Sequence, residues 1–355
     1  MSTPGGALAA HLDALAHAPE AFARGLAGAR EVALPFPAEA VRNVAICGMG
    51  AAGEAGSLVL GALGERVLMP TATIGGYTLP GWVDQDTLVI LLSVSGSTEE
   101  TLTCASLATE RNALCVAVTG GGKLGTHYAG EGVPVVPVPA DGPVGSSTIE
   151  LIGVVLGLLD RMGVAPLQPG EVDEAGEVLA AAVAACADPG DQNPARALTE
   201  VLEGRLPYIW GGELTAAVGR RWASRMWEWA GVPARVSELP HLNHDEMMSL
   251  PALDEAVRAR LVLVLLRDAR QQRQVQRRFE HTAALVGDLV AGTVSLAGDG
   301  RGPIARMLDL VVLGDHLALH LAHAAGVQPG DDPLAAALAV RLATTGAGSE
   351  GRATG

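Results

Sequence analysis

A cluster of hydroxyl side chains follows an aliphatic run in the stretch LLSVSGSTEETL, residues 91–102. We call residues 93–98 the hydroxyl loop. Its residues that could contact a ligand are Ser93, Ser95, Gly96, Ser97 and Thr98. Backbone N–H groups at the start of a helix carry partial positive charge, and hydroxyls beside them complete a neutral site for a phosphate. The stretch therefore predicts a phosphate cradle. The alternative is an ordinary helix cap, with Ser97 and Glu100 forming a capping box.

A second candidate for ligand contact is the glycine-rich turn GMGAAG, residues 48–53, which follows another short β-prone run. Gly48 and Gly50 leave room for a ligand to approach the backbone. Their spacing to Gly53 matches the G-x-G-x-x-G pattern, but no acidic residue ends a following strand, which argues against a dinucleotide site. The alternative is that these glycines serve only close packing of the strand against the next helix.

The densest chemical stretch is MWEWAGVPARVSELPHLNHDEM, residues 226–247, which contains Glu228 and His244. Glu228 lies late in a predicted helix between Trp227 and Trp229, and desolvation by two indole rings would raise the pKa of its carboxyl group. A carboxylate with a raised pKa suits a general base. The alternative is a solvent-facing Glu228 that pairs with Arg225 on its own helix, with His244 as an ordinary loop residue.

Aliphatic runs of strand length alternate with helical stretches, and this pattern occurs twice along the chain. The first cycle contains the runs NVAICG, TLVILLS and ALCVAVTG, and the second contains LPYIWG, RLVLVLLRD and GTVSLAG. Continuous aliphatic runs separated by helices predict parallel sheets covered on both faces. The predicted fold class is therefore α/β, with two similar halves in one chain. Ligands of such sheets bind beyond the carboxyl ends of the strands, where the hydroxyl loop is placed.

Helical periodicity and clusters of Pro, Gly and Asp divide the chain further. Residues 1–165 are predicted to hold one amphipathic helix up to about Arg30 and then the first half of the fold. A linker region with a helix is predicted at residues 166–196. The second half and the C-terminal helices are assigned to residues 197–345, and the Gly-rich residues 346–355 to a disordered tail.

Composition excludes several classes of function. Of the 355 residues 49% are hydrophobic but only 3% aromatic, so the interior must consist mainly of Ala, Val and Leu. The net charge of −15 argues against an extended nucleic-acid surface. The four cysteines form no C-x-x-C pair, so we expect neither a zinc site nor a disulfide framework. Without a basic N-terminal region or a long apolar run, the sequence predicts a cytoplasmic protein with no membrane partner.

Several stretches together resemble, in order and spacing, the bifunctional phosphoglucose/phosphomannose isomerase family, from about residue 43 to residue 342. The resemblance is carried by GMGAAGEAGSL, GGYTLPGWVDQDTLVILLSVSGSTEETL, CVAVTGGGKL, LTAAVGRRWASRMWEWAGVPARVSELPHLNHDEM and GDHLALHL. It implies two sugar-isomerase (SIS) subdomains. It also implies an aldose-ketose isomerase that converts glucose 6-phosphate or mannose 6-phosphate to fructose 6-phosphate.

The resemblance assigns roles to individual residues. Ser93, Ser95 and Thr98 align with hydroxyls that hold the sugar phosphate. Glu228 aligns with the glutamate that moves a proton between C1 and C2. His244 aligns with a histidine that assists ring opening and comes from the partner subunit, which implies a homodimer with shared active sites. We expect no metal or nucleotide cofactor, because proton transfer through an enediolate can run on side chains alone.

The chain also departs from the family pattern. Trp227 and Trp229 replace two asparagines beside the glutamate, and Ala52 replaces a serine of the phosphate site. Gly145, or a small neighbour, stands where the family has an arginine, and the family's C-terminal lysine is missing because Lys123 is the only lysine. Two alternatives to the isomerase therefore stay open. One is a non-catalytic sugar-phosphate binding or regulatory protein, and the other is an SIS-type enzyme with a reshaped pocket.

Overall fold

The computed structural model of the chain describes residues 6–143, 145–330 and 332–349. Two parallel sheets form its framework, one in each half of the chain. The first sheet has the order β2-β1-β3-β4-β5 and consists of β1 Asn43–Gly48, β2 Thr71–Ile74, β3 Thr87–Leu92, β4 Leu114–Thr119 and β5 Val135–Pro137. The second sheet has the order β7-β6-β8-β9 and consists of β6 Leu206–Gly211, β7 Arg235–Glu238, β8 Leu261–Arg267 and β9 Gly292–Ala297.

Thirteen helices are found among the described residues. They are α1 Gly6–Ala16, α2 Ala18–Glu31, α3 Gly50–Leu63, α4 Glu99–Glu110, α5 Gly122–Glu131, α6 Thr148–Arg161, α7 Glu171–Ala187, α8 Pro194–Leu202, α9 Leu214–Ala230, α10 Glu255–Arg258, α11 Arg273–Val286, α12 Pro303–Ala325 and α13 Pro333–Ser349. None of them combines the length and the hydropathy that crossing a membrane requires.

One large hydrophobic core joins the two halves. It contains apolar side chains from both sheets, such as Ile46 and Ile209, and from the helices α2, α3, α6, α9 and α12 between them. Ala, Val and Leu make up most of this core, as the shortage of aromatic residues requires. All four cysteines are buried. The shared core means that α9, from the second half, packs directly on the first half.

The strand order of the first sheet creates a site for a ligand. Helix α3, which follows β1, packs on the face of the sheet that points to the large core, and α4, which follows β3, packs on the opposite face. Because β1 and β3 are neighbours whose helices leave in opposite directions, a crevice opens at their carboxyl ends. The loops that follow these two strands form the edges of the crevice.

The prediction of two α/β halves with parallel sheets is confirmed, and all six predicted strands are present. Three strands were missed, namely β2, β5 and β7. All three lie at sheet edges and have only three or four residues, and at most one residue in each is buried. An edge strand with one pairing partner needs no continuous aliphatic run, so the signal that revealed the central strands is absent there.

The predicted helix boundaries need two corrections. The single N-terminal helix is in fact two, α1 and α2, which are separated at His17, because Pro19 in the first turn of α2 cannot continue a preceding helix. The helix α13 continues to Ser349, so residues 346–349 are helical rather than part of a disordered tail. The rest of the predicted tail, residues 350–355, lies outside the described residues. The helix expected in the linker region is α7, which packs on α12.

Candidate active site

A cavity of about 690 Å³ opens at the carboxyl ends of β1 and β3. Its walls come from four segments: the turn after β1, the hydroxyl loop, the loop that precedes α6, and one face of α9. Asp332, next to the start of α13, also lines it. A volume of this size is typical of small-molecule sites. The cavity therefore combines both predicted ligand loops with the helix that carries Glu228.

Four residues of the hydroxyl loop line this cavity, namely Ser93, Val94, Ser95 and Thr98, and three of them carry a hydroxyl group. The hydroxyls of Ser93 and Thr98 lie 2.9 Å apart and are hydrogen-bonded. The other two predicted residues, Gly96 and Ser97, shape the loop instead, and the backbone N–H of Ser97 donates to the hydroxyl of Ser95. The loop thus holds its hydroxyls together at the point where α4 begins.

The capping-box interpretation of this loop is wrong. Helix α4 begins at Glu99, its cap position is Thr98 rather than Ser97, and the Thr98 side chain makes no capping hydrogen bond. Its hydroxyl bonds to Ser93 instead, on the cavity side. The hydroxyls near the start of α4 are therefore available to a ligand rather than consumed by the helix end.

Gly96 fixes the shape of the hydroxyl loop because it has φ +63° and packs on a second loop. Its carbonyl accepts a hydrogen bond of 2.8 Å from the N–H of Leu124, and a Cβ placed on Gly96 would overlap the carbonyl oxygen of Gly121. Val94 also binds this second loop, since its carbonyl accepts from the N–H of Gly120 at 2.9 Å. Only glycine fits this position without moving the backbone.

Substitution Gly96→Ala is expected to weaken the binding of phosphate at this loop by tenfold or more and to destabilise the fold by about 1–3 kcal/mol. The reason is that both the left-handed backbone and the missing space resist a side chain. Calorimetric titration with inorganic phosphate and denaturant unfolding measure the two effects. Gly130→Ala is the control, because a Cβ at this helical glycine meets nothing within 4 Å. Wild-type affinity in Gly96→Ala would contradict the role of this loop.

The glycine-rich turn contributes less to the cavity than predicted. Gly50 and Ala52 line it, whereas Gly48 does not. A Cβ on Gly48 would lie 3.1 Å from the carbonyl oxygen of Leu92 and 3.1 Å from the nitrogen of Gly53, so Gly48 serves close packing, as the alternative interpretation held. Ala52 presents a methyl group where a hydroxyl was expected to join the phosphate site. The anion contacts of this wall are thus limited to backbone groups.

Glu228 lies in the last turns of α9 and lines the cavity. Its side chain is 29% exposed, and its carboxylate lies 2.6 Å from Nη1 of Arg225. Burial raises the pKa of Glu228, although the guanidinium groups of Arg225 and Arg221 oppose this rise. The predicted pair with Arg225 therefore exists, but it lies in the cavity wall and not on the solvent-facing surface. A partly desolvated carboxylate in a cavity is a suitable general base.

The two tryptophans beside Glu228 occupy different environments, which corrects the prediction that both enclose it. Trp227 lines the cavity, is 52% exposed, and donates its indole N–H to the carbonyl of Ala234 at 2.9 Å. Trp229 does not line the cavity. It is fully buried against Leu15 and packs edge-on against His11 with ring centroids 4.9 Å apart. General burial, rather than two flanking indole rings, therefore desolvates Glu228.

A buried ionic network holds α9 in place behind the cavity. Arg221, which is 1% exposed, donates to both carboxylate oxygens of Asp315 on α12, at 3.0 and 2.6 Å. It also donates to Glu54 on α3 at 2.8 Å and to the hydroxyl of Thr148 on α6 at 2.9 Å. Burial alone would raise the pKa of Glu54, but Arg221 and Arg225 outweigh it, so this pKa is lowered. The network joins four helices around the site.

His244 is not among the residues that line the cavity. It follows the short 3₁₀ turn His241–Asn243, is exposed, and does not line the cavity of its own chain. Asn243 ties this turn to α11, since its side chain donates to Thr282 at 2.8 Å and accepts from Arg278 at 3.0 Å. The structure therefore separates the two predicted catalytic residues within one chain.

Sequence reasoning missed several cavity residues. Ser147 and Thr148 line the cavity at the start of α6, and Ser224 and Arg225 line it one turn before Glu228. The spacing of Arg225 to Glu228 predicts their ion pair only in the alternative in which Glu228 faces the solvent, so it does not place Arg225 in a site. A helical projection of α9 could have placed Ser224, Trp227 and Glu228 on one face, because residues three and four apart are neighbours on a helix.

In the part of the chain that the structure describes, no three His, Cys, Asp or Glu side chains are grouped as metal ligands.

Comparison with known proteins identifies relatives over most of the chain. The family model described as "Bacterial phospho-glucose isomerase C-terminal SIS domain" matches residues 191–341. A bifunctional phosphoglucose/phosphomannose isomerase of Aquifex aeolicus is 30% identical over 289 residues, which cover 81% of this chain and 86% of the relative. A protein of the same name from Caldicellulosiruptor bescii is 28% identical over 311 residues, which cover 86% and 90%.

The fold also matches solved structures. Glucosamine-6-phosphate deaminase of Thermotoga maritima superposes with a TM-score of 0.66 at 15% identity, and the match covers 92% of this chain and 97% of the other. A likeness at this identity concerns the arrangement of the two sheets and their helices.

Proposed function

Since the chain belongs to the bifunctional phosphoglucose/phosphomannose isomerase family, we propose that it interconverts an aldose 6-phosphate and a ketose 6-phosphate. The substrates are glucose 6-phosphate, mannose 6-phosphate and fructose 6-phosphate. One observation carries this proposal: three clustered hydroxyls and a half-buried carboxylate, Glu228, face the same cavity. An anion anchor and a base that share one cavity are what proton transfer on a phosphorylated sugar requires.

The phosphate of the sugar binds at the hydroxyl loop. Ser93, Ser95 and Thr98 donate hydrogen bonds to its oxygens, and the start of α4 adds partial positive charge. Hydrogen bonds from hydroxyl and backbone groups suffice to hold a dianion at a helix start, without a lysine. Anchoring the phosphate end of the sugar limits where its reacting carbons can lie. They are thereby held in the cavity that Glu228 also lines.

Glu228 moves the proton. Its carboxylate removes the proton from the carbon next to the sugar carbonyl and returns it to the neighbouring carbon. Its raised pKa makes it a stronger base than an exposed carboxylate. The cyclic sugar must open before this step.

His244 assists ring opening from a second copy of the chain. This part of the proposal rests on the family alignment and on the exposure of His244 outside the cavity of its own chain. The active form is accordingly a homodimer with shared sites.

The proposal also assigns the protein to the cytoplasm, where its four buried thiols would stay reduced.

A non-catalytic sugar-phosphate binding protein is the second candidate. Ala52 removes a hydroxyl from the anion site, and Trp227 brings a large indole to the cavity beside Glu228. The first change weakens the anion site and the second alters the reacting end of the cavity, while the hydroxyl loop stays intact. Binding without turnover is the outcome that this candidate requires.

A coupled assay for fructose 6-phosphate formation, with glucose 6-phosphate or mannose 6-phosphate as substrate, tests the proposed function. We expect turnover of at least one hexose 6-phosphate and none of unphosphorylated glucose, because the hydroxyl loop anchors the phosphate. Calorimetric binding of the same sugars is measured in parallel. Binding without turnover would establish the second candidate, and the absence of both would refute the two candidates together.

A further inference from the structure

Arg225 occupies the space into which a side chain at position 145 would project. Gly145 has φ +83°, and a Cβ placed on it would overlap Nη1 of Arg225 and lie 3.2 Å from its Cζ. Gly145 belongs to the loop before α6, whereas Arg225 comes from α9 in the other half of the chain. A glycine at position 145 is therefore a condition for the observed position of the guanidinium group.

The guanidinium group of Arg225 is buried but not saturated with hydrogen bonds. The residue is 1% exposed and lines the cavity, and it is the one arginine or lysine among the described lining residues. Nε has no hydrogen-bond acceptor within the described parts of the chain, and Nη1 lies 2.6 Å from the carboxylate of Glu228. A buried cation with an unused donor beside a general base is placed to receive a negatively charged oxygen.

Two neighbours fix the direction of the guanidinium group. It lies over the ring of Trp229, with 5.0 Å from Cζ to the ring centroid, and Nη2 lies 3.4 Å from the carboxylate of Glu54. Stacking on a fully buried indole limits its rotation. Trp229 therefore belongs to the site as a support for Arg225 rather than as a wall of the cavity.

We propose that Arg225 is a catalytic residue that stabilises the oxyanion formed when Glu228 removes the substrate proton, an inference that rests on the proposed function. The C–H electron pair becomes the new C=C bond, the carbonyl π pair moves to oxygen, and the proton is held on Glu228. The oxygen then carries the negative charge beside Arg225. Reprotonation of the neighbouring carbon by Glu228, with transfer of one hydroxyl proton to the enediolate oxygen, completes the isomerisation.

This assignment explains the missing loop arginine. The resemblance places an arginine near position 145, where this chain has glycine, and the structure brings the guanidinium group of Arg225 from α9 against that glycine. The positive charge near position 145 is thus kept, but Arg225 on α9 carries it instead of an arginine in the loop. Since it reaches the site from a helix within the core, its position is fixed before the substrate binds.

The test compares Arg225→Gln with the wild type in steady-state kinetics. We expect kcat to fall by about 10²- to 10³-fold, the usual cost of one oxyanion stabiliser, and KM to change by less than about threefold. Affinity for a five-carbon aldonohydroxamate 5-phosphate, which mimics the enediolate, should fall by the same factor as kcat. Arg220→Gln is the control, because Arg220 lies on the same helix in an exposed ion pair with Glu238.

Three outcomes decide the inference. A loss of kcat matched by the loss of hydroxamate affinity supports it. An equal loss of affinity for substrate and hydroxamate would show that Arg225 stabilises the bound substrate as much as the enediolate. An unchanged kcat would show that Arg225 does not contribute to the reaction. Either result overturns the inference and leaves the proposed function standing. A wild type that binds but turns nothing over overturns the proposed function itself. If Arg225→Gln does not fold, Arg225→Lys replaces it, with an expected loss of about tenfold in kcat at unchanged KM.

Discussion

Replacement of Glu228 by glutamine is expected to lower kcat for hexose 6-phosphate isomerisation by about 10³-fold and to change the substrate Kd by less than about threefold. Glutamine keeps the size and the polarity of the side chain but cannot accept the proton. In the proposed function the hydroxyl loop anchors the phosphate, and Glu228 lines the cavity from a different segment, α9, so binding should not depend on the carboxylate. Kinetics and calorimetric titration of the same preparation separate the two effects.

The matched control is Glu280→Gln, because Glu280 is 61% exposed and pairs only with Arg267 in the second half of the chain. It should retain kcat within about twofold, since exposed ion pairs contribute little. If Glu228→Gln kept more than a tenth of the wild-type kcat, Glu228 would not be the base. Loss of substrate affinity equal to the loss in kcat would likewise contradict the assignment.

The pH profile of the wild type provides a second check on Glu228. The carboxylate must be ionised to accept the proton, so kcat/KM falls as the pH drops through its pKa. Burial raises this pKa, Glu54 raises it further, and Arg225, Arg221 and His11 lower it. The net rise means that the acidic limb lies at higher pH than an exposed glutamate would give. Spectrophotometric assays between about pH 4 and pH 8 measure its position.

The hydroxyl loop was predictable because its signal is local. A buried strand that ends in Ser93, followed by a glycine and further hydroxyls before a helix, specifies both the position and the chemistry of the loop. The central strands were predictable for the same kind of reason, since each is a continuous aliphatic run. Three of the four edge strands were not, because they have only three or four residues, lack such a run and pair with one neighbouring strand.

The environment of Glu228 was predicted only in part because it depends on helical geometry. Consecutive residues on a helix point about 100° apart, so Trp227 and Trp229 cannot occupy the same surroundings. Trp229 lies four residues after Arg225 and seven after Trp222, on the stripe that faces the core. The sequence contained this information. What it did not contain is the approach of Gly145 to Arg225, which depends on packing between the two halves of the chain.

The buried pair of Arg221 and Asp315 carries the prediction with the largest effect on stability. Substitution Asp315→Ala is expected to lower the free energy of unfolding by about 3–5 kcal/mol, because it leaves a guanidinium group buried without its bidentate partner. Both side chains are 1% exposed, so water cannot replace the carboxylate. Denaturant unfolding monitored by tryptophan fluorescence measures this loss, since Trp222 and Trp229 lie in the same core region.

A double-mutant cycle separates two contributions to the loss of stability: the lost interaction between Arg221 and Asp315, and the cost of leaving one buried charge without a partner. The double variant Arg221→Met with Asp315→Leu should recover most of the stability, because apolar side chains of similar volume can replace a buried ion pair. Its kcat should nevertheless stay low, since α9 loses its bonds to Glu54 on α3 and to Thr148, which lines the cavity. If Asp315→Ala lowered the free energy of unfolding by less than about 1 kcal/mol, the pair would contribute no more than a solvent-exposed ion pair does. That result would refute its structural role. Full activity in the stable double variant would show that packing alone positions α9, and with it Glu228 and Arg225, against the hydroxyl loop.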